Sequence, residues 1–162
     1  MKTDRHYTVT DADADAYWFL GTMAKIKASA EQTGGALSMI EFTHPAGFAT
    51  PPHVHSQSDE AFYVLEGNIA GFCGDVQWSA GPGDLIWLPK GVPHGYRVVG
   101  PEQLRTLAIN LPAGFEQFVA ESGTPADQAS AAPTIAIDPA VLDAAAARVG
   151  IQHLGPPPIT EA

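Results

Sequence analysis

Cysteine is almost absent from this chain: Cys73 is the only one in 162 residues. No disulfide can form within the chain, so the fold must rest on a packed core, in keeping with a reducing compartment, and Cys73 reads as a free structural thiol. Basic residues are scarce as well. Eight Lys plus Arg face eighteen Asp plus Glu, a net charge of -10. No basic run or Arg cluster offsets it, which makes nucleic acid and anionic membranes poor partners. Long apolar runs are also missing. No window approaches the ~18 residues of a membrane span, and the opening MKTDRHYTVTDADADA has no signal-peptide core. These absences predict a soluble, cytoplasmic protein of one domain, because a chain near ~150 residues fills one core and not two.

What is present is a rhythm of short β-rich runs. Residues 1–16 form an acidic segment in which Asp11, Asp13 and Asp15 alternate with alanines, expected to be solvated and loosely ordered, with calcium binding as the weaker alternative. From Tyr17 to Lys27 the aromatic and apolar run predicts two short strands or one bent strand, and Ala36–Thr43 predicts the next. Further runs at 61–65, 69–72, 84–88, 95–99 and 104–111 are each fenced by Gly, Pro or Asp. That spacing fits a β-sandwich or small barrel over residues 17–112. The remainder, 113–162, reads as a helical extension and a Pro-rich tail. Phe115, Phe118 and Val119 are spaced as on an amphipathic helix packed outside the barrel, residues 123–138 resemble a linker, and Pro139–Val149 is a second helix stopped by Gly150.

Four side chains stand out against this background. His53 and His55 are two apart, so on an extended segment both imidazoles face one side. Glu60 opens a strand on which Phe62 and Val64 share its face, while Asp59 beside it is expected to point to the surface. His94 follows the turn Pro89–Pro93 and shares a face with Tyr96 and Val98. Closure of the β-structure can bring all four together. Three nitrogens and a carboxylate suit Fe, Mn, Co, Ni, Cu or Zn, whereas Ca and Mg prefer oxygen shells. His6, His44 and His153 lie outside these clusters and read as structural or solvated.

The residues around the four also carry a resemblance. Gly47-FATPP-His53-V-His55-SQSD-Glu60-AFYVLE-Gly67 resembles the first cupin motif at every defined position, and Gly83-DLIWL-Pro89-K-Gly91-VP-His94 resembles the second. The family's usual closing Asn falls at Val98, a departure at a non-ligand position. The resemblance covers roughly residues 35–112. It implies a cupin fold, a double-stranded β-helix or jelly-roll barrel, with short helices appended at the C-terminus. It also implies one divalent transition-metal ion on His53, His55, Glu60 and His94. The segment after Pro112 is similar to the C-terminal part of bacterial quercetin 2,3-dioxygenase-like cupins.

That likeness implies a metal-dependent dioxygenase acting on an enolic aromatic or flavonol-like small molecule, with Glu60 taking the substrate hydroxyl proton after burial has raised its pKa. Two alternatives remain open: a metal-dependent isomerase, lyase or cyclase without O2 chemistry, and a small-molecule binding cupin without turnover. Tyr96, Phe62, Met39 and Trp18 are the candidate pocket residues, and Trp78 and Trp87 are read as packing residues. A homodimer is expected, since the strand at Tyr17–Leu20 is too apolar for a free sheet edge.

Overall fold

The computed structural model describes residues 6–127 and 138–156. The start of the acidic segment, most of the proposed linker and the end of the Pro-rich tail lie outside the described residues. The strands are β1 (Asp15–Phe19), β2 (Thr22–Ala28), β3 (Ser38–His44), β4 (His53–His55), β5 (Asp59–Glu66), β6 (Asn68–Cys73), β7 (Val76–Ala80), β8 (Leu85–Leu88), β9 (His94–Val99), β10 (Leu104–Leu111), β11 (Thr124–Pro125) and β12 (Ile151–His153). The helices are α1 (Ala30–Thr33), α2 (Phe115–Ser122) and α3 (Pro139–Arg148). Two antiparallel sheets result, ordered β11-β1-β2-β3-β10-β5-β8 and β12-β4-β9-β6-β7. They form a jelly-roll and do not close into one continuous barrel.

Alternation builds the core. On β3, Ser38, Ile40, Phe42 and His44 are buried, and on β10 so are Leu104, Thr106, Ala108 and Asn110. Their neighbours in each strand face outward, as a period of two requires. Met39 therefore stands on the outer face with Glu41 and Thr43. The same alternation exposes Trp87, which is 52% accessible beside buried Ile86 and Leu88; the reading of it as a packing residue is corrected, whereas Trp78 does pack against the core. Cys73 is half-buried against that core, and burial raises its pKa, so a resting thiolate is disfavoured.

The segments flanking the central strands are more tightly joined than the sequence reading expected. Asp11 bridges Lys25 and Lys27 at 2.8 Å each, and its hydrogen bonds to the two ammonium groups, led by Lys25, hold its carboxyl down at about 2. It is thus paired rather than merely solvated. After residue 112 the chain returns to both sheets: β11 pairs with β1, and β12 pairs with β4 in the register His153↔His53. The edge of β1 is consequently covered by β11. α2 buries Phe118 and Val119 and sets Phe115 and Phe118 into the wall of the cavity described below.

Gly67 and Gly83 mark two corners, with φ of +79° and +90°. A Cβ on Gly67 would lie 2.3 Å from the Gln103 carbonyl oxygen, whereas nothing lies within 4 Å of one on Gly83. Gly83→Ala is expected to cost only the left-handed penalty of ~1–2 kcal/mol. Gly67→Ala should cost clearly more, because backbone must also move. Urea midpoints of the two variants measure the difference.

Candidate metal centre

Backbone pairing sets the site. His53 on β4 lies opposite His94 on β9, and the Gly91 amide donates to the His55 carbonyl at 2.7 Å, so the turn that delivers His94 is fastened to the strand bearing the other two histidines. The Asp59 side chain accepts from the Lys90 amide at 2.9 Å. Half-buried Asp59 thus secures that turn on the side away from Glu60, without joining the cluster.

One ligand atom from each of His53, His55, Glu60 and His94 falls within a group less than 4.8 Å across. His53 Nδ1 lies 2.8 Å from the Pro51 carbonyl and His94 Nδ1 lies 2.9 Å from that of Val92. A carbonyl only accepts, so each Nδ1 carries the hydrogen and each Nε2 keeps its lone pair, the tautomer a metal ligand needs. Ser58 Oγ, at 3.4 Å, is the neighbour of His55 Nδ1. Glu60 Oε1 accepts from Asn110 Nδ2 at 3.2 Å, leaving Oε2 facing His94 Nε2 at 3.3 Å and His55 Nε2 at 3.8 Å.

The fit to a metal ion rests on an orphaned atom. His94 Nε2 is fully buried and has no hydrogen-bond partner among the described residues, and the ionised Glu60 Oε2, 3.3 Å away, has no hydrogen to give to its lone pair. Buried polar atoms are rarely left unpaired, and a bound cation satisfies this one together with its three neighbours.

Electrostatics in the cluster differ from the expectation for Glu60. Burial pushes its carboxyl up, but His55, His94 and His53 outweigh burial and hold it at about 2. The expected rise is therefore corrected: the group is ionised across the neutral range. Burial, reinforced by His94, pushes His53 down to about 4, and burial also lowers His55. For His94, burial is outweighed by Glu60 and the pKa rises.

The cluster opens into a small cavity of about 70 Å³. Tyr96 and Phe62 line it as expected from alternation, while Met39 and Trp18 do not. Met39 is on the outer face of β3. Trp18 is displaced by its neighbour Phe19, because the tight β1–β2 turn, with Leu20 and Gly21 both at positive φ, sets the register so that Phe19 points inward.

Sequence reasoning missed His44, His153, Phe48 and Phe115 in the wall. The signal for His44 was available, since it continues the inward series Ile40 and Phe42. That for His153 was not, because it depends on the pairing of β12 with β4. His153 Nδ1 meets Asp143 at 2.6 Å, and its ring lies 6.4 Å from that of His53.

Burial pushes His44 down to about 3. An unfolded histidine titrates near 6.5, so below that pH the unfolded chain binds a proton that folded His44 refuses. Stability is thus expected to fall by up to ~1.4 kcal/mol per pH unit from this residue as pH drops from 6.5 toward 3. Urea titrations at pH 7 and pH 5 check this, and His44→Phe should flatten the slope.

Comparison with known proteins agrees with this architecture. Residues 40–110 match the family described as the cupin domain. The quercetin 2,3-dioxygenase of Bacillus subtilis is 24% identical over 127 residues, covering 78% of this chain but 37% of that protein. The chain thus spans little more than a third of the length of this relative. Among solved structures, KdgF from Halomonas sp. superposes with a TM-score of 0.60 at 20% identity, covering 69% of this chain and 98% of that one. The polyketide cyclase RemF from Streptomyces resistomycificus gives 0.56 at 28% identity, covering 66% and 80%. With both motifs set into paired strands of a jelly-roll, residues 40–110 carry the match to the cupin domain, and over much of its length the chain resembles quercetin 2,3-dioxygenase.

Proposed function

We propose that this protein is a metal-dependent dioxygenase that acts on an enolic aromatic or flavonol-like small molecule, with His53, His55, Glu60 and His94 as ligands of one divalent transition-metal ion. The observation that carries the reading is the unpaired, buried His94 Nε2 in a three-imidazole, one-carboxylate cluster that opens onto an aromatic cavity. An ion held there supplies Lewis-acid activation of a substrate hydroxyl and a place for O2 beside it. Phe62, Phe115 and Phe118 offer flat apolar surface to an aromatic ring, and shield it from water. Glu60, with Oε1 held by Asn110, presents Oε2 as the acceptor for the substrate hydroxyl proton.

A second reading is favoured by the similarity to a polyketide cyclase: the same site would then polarise a carbonyl in a cyclase, isomerase or lyase without consuming O2. A binding module without turnover is the third. Metal analysis of protein purified without an affinity tag, followed by O2 uptake across flavonols, enols and catechols, separates them. Uptake with a flavonol supports the dioxygenase, turnover without uptake supports the second reading, and tight binding without either supports the third.

A cytoplasmic location belongs to the same proposal, supported by the lone half-buried thiol. So does a homodimer, on a different surface from the one first expected. Tyr63, Leu85 and Trp87 are 40%, 63% and 52% exposed on the outer face of β5 and β8, and β8 ends its sheet. Light scattering should give about twice 17.0 kDa, and Trp87→Glu should return the monomer mass.

A further inference from the structure

His44 is a polar residue in an apolar place. It is only 2% exposed, and its ring is stacked between Phe42, at 5.3 Å and 13°, and Phe48, at 4.5 Å and 21°. Nε2 is engaged by the Tyr96 hydroxyl at 3.3 Å. Nδ1 is buried and has no hydrogen-bond partner among the described residues, although the ring belongs to the cavity wall. A phenylalanine would fill this aromatic stack but leave the Tyr96 hydroxyl without its Nε2 partner, so Nε2 has a role inside the protein while Nδ1 has none among the described residues. The unpaired Nδ1 therefore points to a partner that the protein itself does not provide.

The place of that partner follows from the strands. Tyr96 is two residues beyond His94 on β9, and Phe62 is two beyond Glu60 on β5; their rings meet at 5.0 Å. Tyr96, Phe62 and His44 thus make the side-chain layer next to the metal cluster. The chemistry of the partner follows from the ring. With burial pushing His44 well below its usual range, it stays neutral and offers one N–H or one lone pair, not a positive charge.

We propose that His44 Nδ1 is the second anchor of the cavity, recognising a neutral hydroxyl or carbonyl on a flat aromatic or polyketide-like ligand whose first oxygen sits at the metal cluster. This deepens the proposed function and rests on its placement of the ligand, but it does not depend on O2 being consumed. It also gives the cavity a rule of selection. A ligand with a single oxygen satisfies the metal cluster and leaves Nδ1 unpaired; one with a second oxygen at the right separation satisfies both. A carboxylate at that second position has no cation to meet and must be desolvated.

The test uses the full-length protein carrying the metal with which it is isolated. Calorimetric affinities are measured for 2-naphthol, for the dihydroxynaphthalene isomers and for 6-hydroxy-2-naphthoate. At least one dihydroxy isomer should bind up to about tenfold tighter than 2-naphthol, the scale of one net hydrogen bond. His44→Phe should abolish that gain, read as the ratio of the dihydroxy isomer's affinity to that of 2-naphthol within the same variant. His44→Asn, whose amide lies near the place of Nδ1, should restore part of it, and serves if the Phe variant folds poorly. The proposal is overturned if no dihydroxy isomer gains in the wild type, if the gain survives His44→Phe, or if the carboxylate gains equally. A protein that passes this test yet takes up no O2 with any flavonol retains the anchor and loses only the dioxygenase reading.

Discussion

His94→Ala is expected to strip most of the metal from the protein. The variant loses the one nitrogen that is fully buried, unpaired and aimed into the cluster, and the Ala side chain cannot coordinate. His53→Ala should behave alike, because its Nδ1 is committed to the Pro51 carbonyl and only Nε2 remains for the ion. Loss of an outer-shell partner alone typically costs ~10–100-fold in metal affinity, so removal of a ligand should exceed that. Elemental analysis after dialysis against a weak chelator reads the result. His44→Phe is the control: it alters the cavity without touching the four donors and should keep its metal. Near-normal occupancy in both alanine variants would dismantle the four-ligand assignment.

Glu60→Gln is expected to keep most of the metal and lose turnover by about 10²–10⁴-fold, the usual worth of a positioned base. Three imidazoles still hold the ion, and the amide oxygen can occupy the place of Oε2, but an amide does not accept a proton at neutral pH. The carboxyl is ionised at neutral pH, held at about 2 by the surrounding imidazoles, so it is in the form that can receive a proton, though without the raised pKa that burial alone promised. Rates must be compared at matched metal loading. If turnover then falls only with occupancy, Glu60 is a ligand and no more, and the proton must leave by another route.

Most of the strands and all four candidate ligands could be read from the sequence, for a definite reason. Period-two alternation and Gly or Pro punctuation are local properties, and β10 falls on Leu104–Leu111 as its apolar run predicts. The inward turn of Tyr96 and Phe62 follows from counting by twos from His94 and Glu60. The failures arose where one residue of register or a distant partner decides. Trp18 and Phe19 are equally aromatic, and only the hairpin after them selects Phe19 for the cavity. Trp87 looks like core until Ile86 and Leu88 are seen to take the buried face. β7, with exposed Val76, Gln77 and Ser79, has too little apolar content to announce itself. Residues beyond 112 resemble an appendage because nothing local tells that Ile151–His153 will lie beside His53–His55.

That last pairing also has a consequence in time. During synthesis, β4 emerges roughly a hundred residues before β12, and ribosomes add about 5–20 residues per second. For something like 5 to 20 s the first two histidines lie on a strand whose outer flank is bare, able to meet metal ions or a foreign strand before the native cover exists. β12 is thus the last strand of the site to be synthesised, and the flank of β4 is covered only when that pairing forms.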